Sequence, residues 1–139
     1  MSLPPEIVAK VRASFARQTM MQTLGAELAL LDEGRAEITA PILPGSLQQH
    51  GAAHAALTFA IGDSAAGYAA LTMFDAETEV LTAEMKINLL RPAVGDTLIA
   101  MGSVIKPGRR LTVVQAEVFA ETAGTRRQVA LLQGTMVPV

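Results

Sequence analysis

The sequence predicts an α+β fold in which a curved, mostly antiparallel sheet of about six strands wraps round one long helix. Three observations lead there. The segment His54 to Phe74, HAALTFAIGDSAAGYAALTMF, is apolar on every side of a helical wheel, the mark of a helix enclosed by its own fold. Apart from the histidine that opens it, its one side chain that would be charged near neutral pH is Asp63. Beyond it the apolar residues switch to period two and keep it through four successive runs, as strands with one buried face do.

In chain order, Pro4 and Pro5 suit a first helical turn. Ile7, Val8, Val11 and Phe15 then recur at helical spacing, which predicts an amphipathic helix over about 5–18. GAELALLDEGRAEITAPI reads as two strands joined by the turn DEGR, with clear alternation from Arg35 to Ala40. LPGSLQQHG is a loop, and the central helix is expected over about 52–73. In LTAEMKINL the residues Leu81, Ala83, Met85, Ile87 and Leu89 form the expected buried face, with Thr82, Glu84, Lys86 and Asn88 opposite. RPAVGD, KPGRR and TAGT then separate the strands TLIAMGSVI, LTVVQAEVFAE and RQVALLQGTMV. No internal repeat, linker or low-complexity tail is visible, so residues 1–139 read as one domain. An open sheet with free edges is expected to pair with a second copy.

Composition narrows the function. Hydrophobic residues are 50% and charged residues 17% of 139, which places the chain outside the disordered class. A net charge of −2 argues against nucleic-acid and acidic-membrane binding, both of which favour basic surfaces. With no cysteine, thiol nucleophiles and thiolate metal sites are excluded. The spacing of the two histidines matches no metal motif, so no metal is expected. The apolar segment is long enough to test as a membrane span, but its alanine and glycine content, central acid and bare flanks argue against one. The opening MSLPPEIVAKV lacks a basic start followed by an apolar run, so a cytoplasmic location is the expectation.

Few residues can carry chemistry. Burying the Asp63 carboxylate without partners would be costly, so it is either functional or satisfied by Ser64, Thr58, a loop or a solvent gap. His54 lies nine positions before it, about 13 Å along a helix axis, so the two cannot meet within one helix. His54 reads as a capping or packing residue, or as a proton carrier; His50 in the loop offers less. The helix start around Ala52 to Ala55 presents free N–H groups from small residues that would let a carbonyl oxygen approach. Lys106, Arg109 and Arg110 cluster round Gly108, and Arg126 and Arg127 form a second basic pair. Either group could receive phosphates or simply be a solvated turn.

QQHGAAHAALTFAIGDSAAG resembles the core of the hotdog-fold acyl-CoA thioesterases, in particular the phenylacetate-pathway-type branch. That family carries Asn-x-x-Gly-x-x-His-Gly-Gly followed by a helical aspartate. The resemblance extends from LGAELALLDEGRAEI through LTAEMKINLLRPA and KPGRRL to LLQGTMV. Here the motif asparagine is Gln48, its glycine is Gly51, and His-Gly-Gly is His54-Ala55-Ala56. The oxyanion donor it implies is a backbone N–H, which Ala55 retains.

The resemblance implies a homodimer or homotetramer with antiparallel central helices, so that one subunit's helix start meets the other's aspartate. It implies hydrolysis of an acyl-CoA with no cofactor. Asp63 would be general base or nucleophile, the Ala55 N–H with Gln48 would polarise the carbonyl, and Thr82 would position water. His54 would order the loop, Gly51 and Ala56 would line the substrate, and Lys106, Gly108, Arg109 and Arg110 would face coenzyme A. Alanines, Leu57, Phe59, Tyr68 and Met73 would line the acyl pocket. The alternatives are a hotdog hydratase or dehydratase using His54, and a non-catalytic acyl-CoA-binding scaffold.

Overall fold

Proline at the first helical position has φ preset and lacks an N–H that would go unpaired, and helix α1 (Pro5–Arg17) begins on Pro5. The computed structural model describes residues 2–139. Helix α1 is followed by a short helix not expected from the sequence, α2 (Thr19–Leu24), which stops where Gly25 takes a left-handed conformation at φ +69°. Strands β1 (Glu27–Asp32) and β2 (Arg35–Pro41) form the first hairpin. Helix α3 (Ala55–Leu71) leads to β3 (Val80–Leu89), β4 (Thr97–Lys106), β5 (Thr112–Thr122) and β6 (Thr125–Pro138).

The six strands form one sheet in the order β1-β2-β4-β5-β6-β3, and every neighbouring pair is antiparallel. The sheet curls round α3, which packs against β2, β4, β5, β3 and β6. The architecture expected from the alternation is therefore present, with β1 and β3 as its edges. No helix among the described residues is long and apolar enough to cross a membrane.

Helix α3 starts at Ala55, three residues after the expected boundary. Ala53 forms an isolated bridge with Leu47, and its N–H donates to the Ala93 carbonyl at 2.9 Å. The Ala52 N–H donates to the Gln48 side chain. Those donors are committed elsewhere, and His54 takes the N-cap position. The other end closes at Leu71, where the Thr72 hydroxyl donates to the Ala69 carbonyl and accepts from the Gly34 N–H at 2.8 Å.

Small residues let helix and sheet approach closely. A Cβ at Gly102 on β4 would strike the Ala65 backbone, and one at Gly62 on α3 would sit 2.9 Å from a Leu132 methyl. Ala65, Ala66, Ala36, Ala100 and Ala116 are fully buried in this seam. We expect Gly102→Ala to cost about 1–3 kcal/mol through overpacking against backbone that cannot move aside. Gly45→Ala, which would meet nothing within 4 Å, serves as the control; urea denaturation of both variants checks the difference.

Candidate active site

Residues four apart on a helix share a face, and Ala55, Phe59, Asp63 and Gly67 form such a row on α3. All four are at least partly solvent-accessible, whereas Leu57, Ile61, Ala65 and Ala69 are buried against the fold. One open stripe therefore carries both the helix start and the lone carboxylate.

Asp63 is half-buried and accepts a 2.8 Å hydrogen bond from the Thr82 hydroxyl. Neither Ser64 nor Thr58 bonds it, and no cation forms an ion pair with it among the described residues. Burial raises its pKa above 3.8, and the Thr82 bond opposes part of that rise. A folded pKa above the unfolded one favours folding while the carboxyl is protonated, so ionisation of Asp63 subtracts stability as pH rises through the folded pKa.

The position of Thr82 corrects the face read from alternation. Pairing of β3 with β6 shifts between Thr82 and Glu84, a bulge that reverses which residues face inward. Thr82 thus leaves the polar face of Glu84, Lys86 and Asn88 and turns toward α3, where its hydroxyl also lies 3.3 Å from the Met136 sulfur. Met85 and Ile87 become the half-buried residues beyond the bulge, while Leu81 and Leu89 are 59% and 58% exposed rather than buried.

At the helix start, the Nδ1 of His54 accepts the Ala56 N–H at 2.9 Å, and its carbonyl accepts the Leu57 N–H. His54 is the cap that its capping reading anticipates. The Ala55 N–H has no acceptor among the described residues. Beside it, the Gln48 Oε1 accepts from the N–H groups of His50 and Ala52, at 2.6 and 3.1 Å. That fixes the amide and leaves its NH₂ as a donor. Gly51 makes the turn between them at φ +87°, a conformation that favours glycine.

One chain does not bring these two groups together. Asp63, Thr82, Tyr68, Ser14, Gln18 and Glu79 border a cavity of about 300 Å³. Gln48, His54 and Ala55 border a separate cavity of about 520 Å³ that shares none of those residues. Eight residues of helix, about 12 Å, lie between Ala55 and Asp63. Lys106 ends β4, and Gly108, Arg109 and Arg110 sit in the exposed turn that leads to β5. Thr112, just after that turn, pairs with Met136, which pairs with Thr82, so the turn lies at the Asp63 end of the sheet.

Ser14, Gln18 and Glu79 were not anticipated as site residues. The Tyr68 hydroxyl accepts from the Gln18 amide at 2.7 Å and shares a 3.1 Å bond with Ser14. Phe15 packs edge-on against the Tyr68 ring. A lone tyrosine in an apolar helix needs a partner for its hydroxyl, and that demand is the signal for a polar element packed against it.

A curled antiparallel sheet round a central helix, with a carboxylate on the helix and free donors at its start, is the hotdog architecture of thioester-acting enzymes. The chain belongs to the thioesterase superfamily, whose family profile matches residues 50–126. It is similar to the structure of a thioesterase family protein from Silicibacter pomeroyi, with 42% identity and a TM-score of 0.93 over 96% of this chain and 98% of that one. The Escherichia coli acyl-coenzyme A thioesterase PaaI is 28% identical over 123 residues, 88% of this chain and 84% of that one. The solved PaaI structure, described as from the phenylacetic acid degradation operon, superposes with a TM-score of 0.88 over 99% of this chain and 96% of that one. A protein of Saccharolobus solfataricus named as an esterase is 33% identical over 87 residues, 63% of this chain; the match spans 61% of that relative's length.

The 2.8 Å bond from Thr82 opposes the rise that burial causes in the Asp63 pKa. In Thr82→Val, carboxyl-selective NMR titration should find the Asp63 midpoint above its wild-type position, which itself should lie above 3.8. An unchanged midpoint would show that the hydroxyl does not stabilise the anion.

Proposed function

We propose that the protein hydrolyses an acyl-CoA thioester at a site shared by two copies packed with their α3 helices antiparallel. The observation that carries this reading is the open α3 stripe. It holds at one end an Ala55 N–H with no acceptor among the described residues and, eight residues on, a partly desolvated Asp63, too far apart to act within one copy. Antiparallel pairing of two such stripes places each Ala55 opposite a partner carboxylate, and an apolar stripe with an exposed Phe59 is a suitable surface to cover.

The thioester carbonyl accepts from the Ala55 N–H, where the helix dipole and the Gln48 NH₂ add positive potential. Asp63 of the other copy takes a proton from water, whose hydroxide attacks the carbonyl carbon. The tetrahedral intermediate then expels the coenzyme A sulfur, which recovers the proton, leaving a free acid. In the alternative route Asp63 itself attacks and water opens the resulting anhydride. Thr82 orients one oxygen of Asp63 and leaves the other for the reacting partner. His54 holds the loop by capping α3, and Gly51 and Ala56 border the substrate. Lys106, Arg109 and Arg110, in the turn shaped by Gly108, contact the phosphates. No cofactor or metal enters the scheme, and a cytoplasmic location goes with it. A hydratase would need His54 for proton transfer, whereas its Nδ1 is held by the Ala56 N–H.

Thiol release from a panel of short, long and aromatic acyl-CoAs tests the reading. Asp63→Asn should lower kcat by about 10²–10⁴-fold. Ala55→Pro removes the proposed oxyanion donor at a position where proline is tolerated, since Ala55 is the first helical residue and His54 is extended at φ −61°, ψ 140°. It should lower kcat by about 10²–10³-fold with the fold retained by circular dichroism. Full turnover by either variant would remove that residue from the mechanism.

A further inference from the structure

The cavity of about 300 Å³ beside Asp63 has a sign of charge as well as a shape. Two carboxylates border it, Asp63 and Glu79, and among the described residues no lysine, arginine or histidine does. Glu79 stands just before β3 with its backbone fixed by two hydrogen bonds. Its N–H donates to the Val139 carbonyl at 3.1 Å, and its carbonyl accepts from the Val139 N–H at 2.8 Å. Its side chain forms no ion pair among the described residues. Lys10, whose ammonium feels Glu79, feels Asp75 and Glu77 as well. That ammonium donates to the Asp75 and Thr78 carbonyls, which hold it at the loop rather than in the cavity wall.

The rest of the wall is firm. Ser14 in α1 and Gln18 at its end both bond the Tyr68 hydroxyl, while Leu71, Val80 and Met136 supply apolar contact. A thioester whose carbonyl lies against Asp63 thus has a walled space for its acyl group on the copy that supplies the carboxylate. Thr82, which bonds Asp63, lies three residues beyond Glu79, on the order of 10 Å along an extended chain. An acyl chain running that way ends near Glu79.

We propose that Glu79 is a specificity-determining residue that rejects acyl groups ending in a carboxylate, so that the protein hydrolyses thioesters of monocarboxylic acids in preference to those of dicarboxylic acids. This rests on the acyl-CoA reading above and names the acyl class. A terminal carboxylate entering the cavity would lose water and meet a like charge, with no cation in the wall to offset either cost. A neutral end meets no such repulsion, and a hydroxyl there can donate to the Glu79 carboxylate or the Gln18 amide oxygen.

Thiol release from hexanoyl-, 6-hydroxyhexanoyl- and adipoyl-CoA, which share one chain length, separates charge from polarity. Wild type should show kcat/KM for the adipoyl thioester about tenfold or more below the other two. Glu79→Gln should raise the adipoyl-to-hexanoyl ratio about fivefold or more, and Glu79→Asp should keep it low. Glu77→Gln removes a carboxylate from the same loop outside the cavity and should leave the ratio unchanged. Equal turnover of the adipoyl and hexanoyl thioesters by wild type would overturn the assignment while leaving the thioesterase reading intact. So would a ratio that Glu79→Gln does not move, or that Glu77→Gln moves as much. If wild type turns over none of the three, calorimetric titration with the same thioesters decides. Weaker binding of adipoyl-CoA than of hexanoyl-CoA, with the gap narrowed in Glu79→Gln, supports the assignment, and equal binding overturns it. Absence of turnover across the wider acyl-CoA panel would separately sink the catalytic reading.

Discussion

The close contact between α3 and the sheet governs both the stability of the protein and the shape of its site. A helix can lie this near to a sheet only where both surfaces are stripped of bulk, and the seam uses Gly102 against the Ala65 backbone and Gly62 against Leu132. The alanines around them contribute little area each, so the seam gains stability by tight packing over many small contacts. The same closeness gives α3 neighbours on most sides, which is why its sequence is apolar nearly all round. What remains uncovered is the stripe through Ala55, Phe59 and Asp63, so the packing that builds the core also fixes which residues face outward.

Asp63 shows how such a helix tolerates one carboxylate. Full burial would demand a strong counter-charge, and full exposure would leave an ordinary acid. The site does neither: it removes part of the water and returns one neutral hydrogen bond from Thr82. The balance favours desolvation, so the group is a better proton acceptor than a solvated aspartate, and among the described residues no lysine or arginine forms an ion pair that would pin it as an anion. The bulge in β3 makes this possible, because a regular strand would point Thr82 away from α3.

The sequence made the architecture legible wherever period decided the structure. Alternation along residues 97–137 and around Arg35–Ala40 carried the strands, and the apolar run carried the central helix. It was less informative where a single hydrogen bond or an extra residue decided. The bulge at Thr82–Glu84 leaves no compositional trace, so alternation alone put Thr82 on the wrong face and Leu81 and Leu89 in a core they do not join. The exact start of α3 depended on where the donors of Ala52 and Ala53 go, a matter of tertiary contacts with Gln48 and Ala93. Asp63 stood out in the sequence by its isolation, whereas Ser14 and Gln18 reach its cavity only because α1 docks on Tyr68.

The division between copies proposed above has a physical basis visible in one chain. An oxyanion donor is most effective at a helix start, where N–H groups are free and the dipole is positive. A carboxylate beside those N–H groups on its own helix would hydrogen-bond to them and occupy the donors that a substrate carbonyl needs. Along one helix these requirements separate the groups, here by eight residues. In the proposed pairing, a second copy running the other way would resolve the conflict. It would place a mid-helix carboxylate across from the free donor of its neighbour, and a thioester lying between them would feel both groups.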